Sequence, residues 1–224
     1  MGLVHERSLA ETLDEINDAL FTGAKLSKAD RAGAARWIAA RAGVPGSYEM
    51  MPAPTADDFT NGFRVFTGER FKSWAGTACK LGSEACRALI LLEAGGAAAE
   101  KALAAAREAM SARMREYGAY GRYCCGSCAV ATWRSALAGG LEKPDRVIAE
   151  GIRELKKARD EKGGWRAFPF WYTLLALTEV DGAAARAEKR HSAARCERLL
   201  ARKPRGDRYD SRRRTVAERI LAQV

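Results

Sequence analysis

Apolar residues recur every three or four positions along most of the chain, the spacing that places them on one face of an α-helix. The first such segment begins after Ser8, and Glu11 follows three residues later, which is a capping-box pattern. Its apolar positions share one helical face: Leu9, Leu13, Ile16 and Leu20. Alternating strand patterns are nearly absent, so the chain is predicted to be all-α.

Two further segments complete the N-terminal part. Ser27 with Asp30 is typical of the start of a second helix. A stretch with three prolines follows, and Thr55 then caps a short helix predicted over ADDFTNGFRVF. We therefore assign residues 1–65 to N-terminal helices and a Pro-rich connection.

Three apolar segments later in the chain end at equivalent glycines, Gly96, Gly140 and Gly182, which are spaced by about 44 and about 42 residues. The first is predicted to begin near residue 83. A more charged helical segment follows each glycine. Paired helices at this period are typical of helical-repeat proteins. We predict a body of helical-pair repeats over 66–203 and a separate basic helix over 204–224.

The links between the repeats also correspond, and one of them resembles a known family. KARDEKGGWRAFPFWYTLLAL is similar to the repeat of the α/α toroids, the prenyltransferase and terpenoid-cyclase-like group. In that group a charged outer helix leads through a Gly-Gly-aromatic loop into an inner helix that lines a central cavity. The resemblance covers roughly residues 83–202 and implies a partial toroid.

The catalytic residues of that family are not matched. Its protein prenyltransferases hold zinc through an Asp and a Cys at one inner-helix start and a His on a later inner helix. The matching positions here offer Cys124 or Cys125 without an adjacent aspartate, and Tyr172 in place of the histidine. The acidic cluster of the cyclases is also missing. The resemblance therefore argues against prenyl transfer or cyclisation, and whether the chain is an enzyme stays open.

The turn GRYCCGSCAV contains the most concentrated candidate chemistry. Cys125 and Cys128 have CxxC spacing at a predicted helix start, where the helix dipole lowers the pKa of a thiol. A zinc or iron–sulfur site would need further ligands, and Cys79 or Cys86 could join Cys124, Cys125 and Cys128. Because free cysteines are often buried as small apolar residues, we interpret the turn first as packing at a repeat junction. A redox pair and a metal site are the alternatives.

Aromatic side chains provide a second candidate site. If the toroid interpretation holds, they face a shared concavity that could take a flat or apolar ligand; they are Trp133, Trp165, Phe168, Trp171 and Tyr172. The simpler interpretation is that they are core residues at helical spacing. Our leading functional hypothesis is an α-helical repeat protein that binds a small molecule or a protein through this face.

Composition and charge limit the partners. The chain has 224 residues, 47% of them hydrophobic and 29% charged, as in ordinary globular proteins. Its net charge is +10, and residues 186–224 alone carry 13 Lys/Arg against 5 Asp/Glu. Nucleic-acid binding through these arginines is a further alternative, although we favour a solvated basic face.

With neither a secretory signal nor a membrane-length apolar run, we expect a cytoplasmic protein without a membrane partner. An exposed edge of the partial toroid could support a homodimer.

Overall fold

The computed structural model describes residues 2–122 and 124–224. Over these residues the chain forms ten helices and one two-stranded hairpin, which confirms the prediction of an all-α class. The elements in chain order are α1 (Leu9–Thr22), α2 (Lys28–Ala39), α3 (Ala56–Asn61), β1 (Phe63–Arg64), β2 (Arg70–Phe71), α4 (Trp74–Leu92), α5 (Gly96–Tyr117), α6 (Gly126–Leu137), α7 (Pro144–Ala158), α8 (Phe170–Leu177), α9 (Ala183–Leu200) and α10 (Arg208–Leu221).

Local signals at the helix starts are confirmed. The Ser8 side chain accepts a hydrogen bond from the backbone N–H of Glu11, and Ser27 caps α2 in the same way. Thr55 and Asp58 form a reciprocal capping box at α3. Each cap satisfies a backbone donor that the first helical turn leaves without a partner.

The segment after α3 differs from the prediction. The helix predicted through Phe66 ends at Asn61, because Gly62 has a φ of 69° and leads the chain into β1. Strand β1 pairs antiparallel with β2, with Phe63 opposite Phe71. A Cβ at Gly62 would lie 2.5 Å from the carbonyl oxygen of Phe71, so the hairpin depends on a glycine at this position.

Helix α4 begins at Trp74, earlier than the predicted start near residue 83. Two glycines inside it obscured the signal, since glycine usually marks a turn. Gly82 lies where α4 crosses the Pro-rich connection, and a Cβ there would come within 2.8 Å of the Met51 Cβ. Close packing accounts for this glycine.

Helices α4 to α9 pack as neighbours in sequence and in space. α4 contacts α5, α6 contacts α7, and α8 contacts α9. α6 also packs between α4 and α8, while α7 packs against α9. The N-terminal helices α1 and α2 cover α4, and α10 packs on α8 and α9. One apolar cluster runs through all of these layers.

Arginines of the C-terminal helix join it to the N-terminal helix. Arg212 is 8% exposed and donates to Asp14 over 2.8 Å and to Asp18 over 2.9 Å. On the same face of α10, one and two turns further along, Val216 and Ile220 are fully buried. The interpretation of the whole segment as a solvated basic face is therefore wrong for Arg212, which is a buried ion-pair partner.

Among the described residues, no helix is both long enough and apolar enough to cross a membrane.

Candidate functional site

The cysteine turn lies at the start of α6. Cys125 is the N-cap residue with an extended backbone, and Cys128 lies in the first helical turn. Cys124 and Cys125 are exposed, whereas Cys128 is fully buried. The sulfur atoms of these three cysteines all lie within 4.8 Å of one another. The fold thus brings together three of the four predicted thiol residues.

A glycine allows the turn to pack under the neighbouring loop. A Cβ at Gly126 would lie 2.1 Å from the carbonyl oxygen of Ala167, a distance that no side chain tolerates. Ala167 itself has a φ of 64°, in the left-handed region that favours glycine. The loop before α8 is therefore held directly against the CGSC sequence, and the turn is covered on one side.

Hydrogen bonds make the two CxxC thiols chemically different. The Cys128 thiol donates to Cys125, and together with hydrogen bonds from Ser127 and the Cys128 backbone this lowers the pKa of Cys125 to about 4. The same contact, with Cys79 and burial adding to it, raises the pKa of Cys128 well above its ordinary value. An exposed thiolate therefore lies next to a buried thiol at neutral pH.

A buried lysine completes the surroundings of the thiols. Lys80 on α4 is 2% exposed, and its Nζ lies 3.9 Å from the Cys128 sulfur and 4.7 Å from the centre of the Phe71 ring. Within the described part of the chain, no carboxylate forms an ion pair with it. Its charge contributes to the low pKa of Cys125. A buried ammonium whose neighbours are sulfur and an aromatic face favours an anionic thiolate beside it.

The two remaining candidate cysteines are placed differently. Cys79 is buried on α4, and its side chain interacts with the Cys128 thiol. Cys86 belongs to the apolar core, where burial raises the pKa of its thiol to about 12. Cys79 is thus next to the turn, while Cys86 is an inert packing residue.

The predicted aromatic residues are mostly core. Four of them are at most 6% exposed: Trp133, Trp165, Phe168 and Tyr172. Trp133 stacks on Phe168 at 5.6 Å, and the Trp165 indole N–H donates to Glu188. Trp171 is half-buried and borders a cavity of about 520 Å³. Ligand binding by the whole aromatic set stays a prediction, and its core interpretation fits the burial.

Sequence reasoning missed a buried charged network. Arg134 on α6 is 2% exposed and donates to Glu84 on α4 over 2.6 Å and to Glu179 after α8 over 2.8 Å. The Tyr172 hydroxyl donates a short hydrogen bond to Glu84. Arg87 also contacts Glu179, at 3.0 Å. Four charged groups and one phenol therefore connect α4, α6 and α8 with the residues that follow it.

Electrostatics keep this network ionised. Burial is the largest influence on Glu84 and would raise its pKa, but the charges of Arg134 and Arg87 together with hydrogen bonds from Arg134 and Tyr172 lower the pKa below its ordinary value. Burial and the Glu84 charge raise the pKa of Tyr172 well above its usual value. Glu84 and Arg134 stand out in sequence as charges within the apolar segments EACRALILL and VATWRSAL, and that pattern could have identified them.

Together these features define a helical protein with a low-pKa thiol at a helix N-terminus and a charged network within the helix array. No family model, no curated protein and no solved structure matches the chain.

Proposed function

We propose that Cys125 and Cys128 form a dithiol redox centre that exchanges with disulfides. The single observation that carries this proposal is their geometry: an exposed cysteine at the N-cap of α6 and a buried cysteine three residues later, with their sulfurs within 4.8 Å. The exposed Cys125 can react with a thiol or disulfide from solvent, and the buried Cys128 sulfur can reach Cys125 without leaving the protein. The low pKa of Cys125 and the buried Lys80 support this assignment.

The reaction follows from the two thiols. The Cys125 thiolate attacks a disulfide R–S–S–R, which forms a mixed disulfide and releases one thiolate R–S⁻. Cys128 then passes its proton to the released thiolate, and its sulfur attacks Cys125. The second R–S⁻ leaves and is protonated by water. The two cysteines are oxidised to one intrachain disulfide, while the disulfide substrate is reduced to two thiols.

The environment predicts the direction in which this couple is poised. Hydrogen bonds and Lys80 stabilise the thiolate form of Cys125, so the reduced protein is favoured over the disulfide. Such a couple has a higher reduction potential than a strongly reducing dithiol at about −270 mV. We therefore expect the exchange written above to run mainly in reverse, with the Cys125–Cys128 disulfide accepting electrons and oxidising two thiols of a partner to a disulfide.

Controlled oxidation tests the proposal. Equilibration with mixtures of reduced and oxidised glutathione, followed by acid quench and peptide mapping, should give one Cys125–Cys128 disulfide. In Cys128→Ser, glutathione should instead remain attached to Cys125. Cys196→Ser removes a fully buried cysteine on α9 and serves as the matched control, with unchanged oxidation. Absence of the intrachain disulfide in the wild-type protein, with Cys125 left unmodified, would sink the proposal.

A second candidate function has its own observation. Three clustered thiols with a fourth at Cys79 supply the ligand number of a tetrahedral zinc or iron–sulfur site, in which sulfurs bound to one zinc lie about 3.8 Å apart. The Lys80 ammonium argues against it, because a cation beside the thiols repels a second cation. The two functions differ at Cys79: Cys79→Ser should abolish stoichiometric metal in elemental analysis of anaerobically purified protein, but should leave the Cys125–Cys128 disulfide intact.

For the fold, the proposal is a partial α/α toroid of helical-pair repeats. The side-by-side packing of α4, α6 and α8, each with its following helix, supports it. In this arrangement the cysteine turn is at one end of an inner helix, where a partner thiol can approach. An experimental structure in which α4, α6 and α8 do not lie on one inner layer would contradict the toroid.

A further inference from the structure

The cavity that Trp171 borders lies beside the C-terminal half of α9. It has a volume of about 520 Å³ and is built by four segments: the loop after α7, the start of α8, α9, and residues 202–214. Eight of its eleven lining residues are Lys or Arg, and only Asp210 is acidic. The cavity is therefore strongly cationic.

Protein carboxylates offset only part of these charges, through the attraction of Asp160 for Arg195 and of Asp210 for Arg205 and Arg214. Asp210 is already engaged, since it pairs with Arg214 over 2.9 Å and accepts from the Arg205 backbone over 3.0 Å. Within residues 2–122 and 124–224, the other seven cations form no ion pair, among them Lys162, Arg202 and Lys203. An anionic ligand would supply the missing countercharge.

The spacing of the arginines on α9 strengthens this conclusion. Arg195 and Arg198 are three residues apart on α9, so they share one helical face and repel one another. Arg202 follows just after the end of the helix and lines the same cavity. The Arg195 guanidinium is held over the Phe170 ring at 3.7 Å, where burial lowers its pKa. Folding thus concentrates like charges at one place, and a polyanion is the ligand class that offsets their repulsion.

Size and the aromatic wall narrow the ligand further. Cavities that hold small molecules are about 300–1,000 Å³, which includes this one and excludes a nucleic-acid duplex. Trp171 is half-buried at the wall, a position from which its face can stack on a flat ring. Arginines bind phosphate oxygens through paired N–H donors. We propose that this cavity binds a nucleotide with two or more phosphate groups, with its base against Trp171 and its phosphates among Arg195, Arg198 and Arg202.

Binding of ATP, inorganic tripolyphosphate and adenosine, measured by isothermal titration calorimetry at two salt concentrations, tests the proposal. ATP should bind most tightly, tripolyphosphate more weakly and adenosine not measurably, and both anions should weaken with salt. The double variant Arg198→Gln/Arg202→Gln should lose at least about tenfold in ATP affinity, the loss expected for one charge-assisted contact. Its matched control is Arg36→Gln/Lys101→Gln, which removes two exposed helix cations outside the cavity and should bind normally.

Three further comparisons separate the contributions. Trp171→Leu should weaken ATP by about tenfold and leave tripolyphosphate unchanged, because only the base stacks. Lys203→Gln, a substitution at an exposed loop residue, covers the case in which the double variant fails to fold, and should also weaken both anions. Cys125→Ser should bind ATP normally, so failure of the dithiol proposal and failure of this proposal can be told apart. Equal loss in the control variant, or binding of a single-stranded oligonucleotide without binding of ATP, would overturn the proposal.

Discussion

The guanidinium of Arg134 donates to the carboxylate of Glu84 over 2.6 Å, and both side chains are more than nine-tenths buried. Removing one member of such a pair leaves the other charge buried without compensation, which costs about 3–5 kcal/mol. Arg134→Met should therefore lower the free energy of unfolding by this amount in urea titrations.

The double variant Arg134→Met/Glu84→Met is the informative comparison. It removes both buried charges, so we expect it to be more stable than Arg134→Met alone. An additive loss in the double variant would mean that the two side chains are not energetically coupled.

The Cys125 thiolate gives a pH-dependent signature. With a pKa of about 4, Cys125 should alkylate with iodoacetamide at a nearly constant rate from about pH 5.5 to pH 8.5, whereas an ordinary thiol with a pKa of about 8.5 slows tenfold per unit. Peptide mapping measures the Cys125 rate, with free glutathione in the same reaction as the reference thiol. Parallel pH profiles for Cys125 and glutathione would contradict the prediction.

The same thiolate affects the stability of the reduced protein. Its pKa is lower in the folded than in the unfolded chain, so its stabilising contribution is complete above about pH 8.5 and is lost as the pH falls through about 4. The difference in unfolding free energy between wild type and Cys125→Ser should therefore increase from pH 4 to pH 8. A difference that does not change with pH would show that the thiolate is not stabilised by the fold.

The contact of Arg212 with Asp14 should contribute much more to stability than an exposed pair. Arg212→Ala leaves Asp14, which is 9% exposed, without its bidentate partner, and should cost about 3 kcal/mol. Arg7→Ala is the matched control, since the Arg7–Asp57 pair is exposed and contributes less than about 1 kcal/mol. Chemical denaturation of both variants measures the difference, and similar small losses would refute the structural role of Arg212.

Two glycines with opposite expected effects test the packing of the cysteine turn. Gly126→Ala drives a methyl group into the Ala167 carbonyl and should cost about 1–3 kcal/mol while slowing disulfide formation at Cys125. Gly33→Ala lies inside α2 with open space around its Cβ, so it should raise stability by about 1 kcal/mol. Thermal unfolding and glutathione titration measure both, and a neutral Gly126→Ala would show that the loop is free to move.

Sequence patterns predicted the features that depend on near neighbours. Ser8 and Ser27 predict helix starts because each capping side chain and the backbone N–H that donates to it are only three residues apart. The hairpin was missed because strands of two residues are too short to show alternation. The pairing of Phe63 with Phe71 depends in addition on strand register, which the sequence pattern does not give.

In the candidate site, too, contacts between near neighbours in sequence were predictable and contacts between distant ones were not. The CxxC spacing and its place at a helix start were visible in the sequence, since Cys125 and Cys128 are one helical turn apart. The neighbouring Lys80 was not visible as part of this site, because it comes from a helix 48 residues away in sequence. The pairing of Glu84 with Arg134 joins residues 50 apart and depends on how α4 and α6 pack.

The ion pairs between α1 and α10 change the order in which the helices are expected to unfold. A linear array of helix pairs loses its terminal units first, because each unit contacts only its neighbours. Here the first and last helices hold each other through contacts that span 198 positions of sequence. Neither can detach without exposing buried charges of the other, so hydrogen exchange should find both ends as protected as the middle of the array.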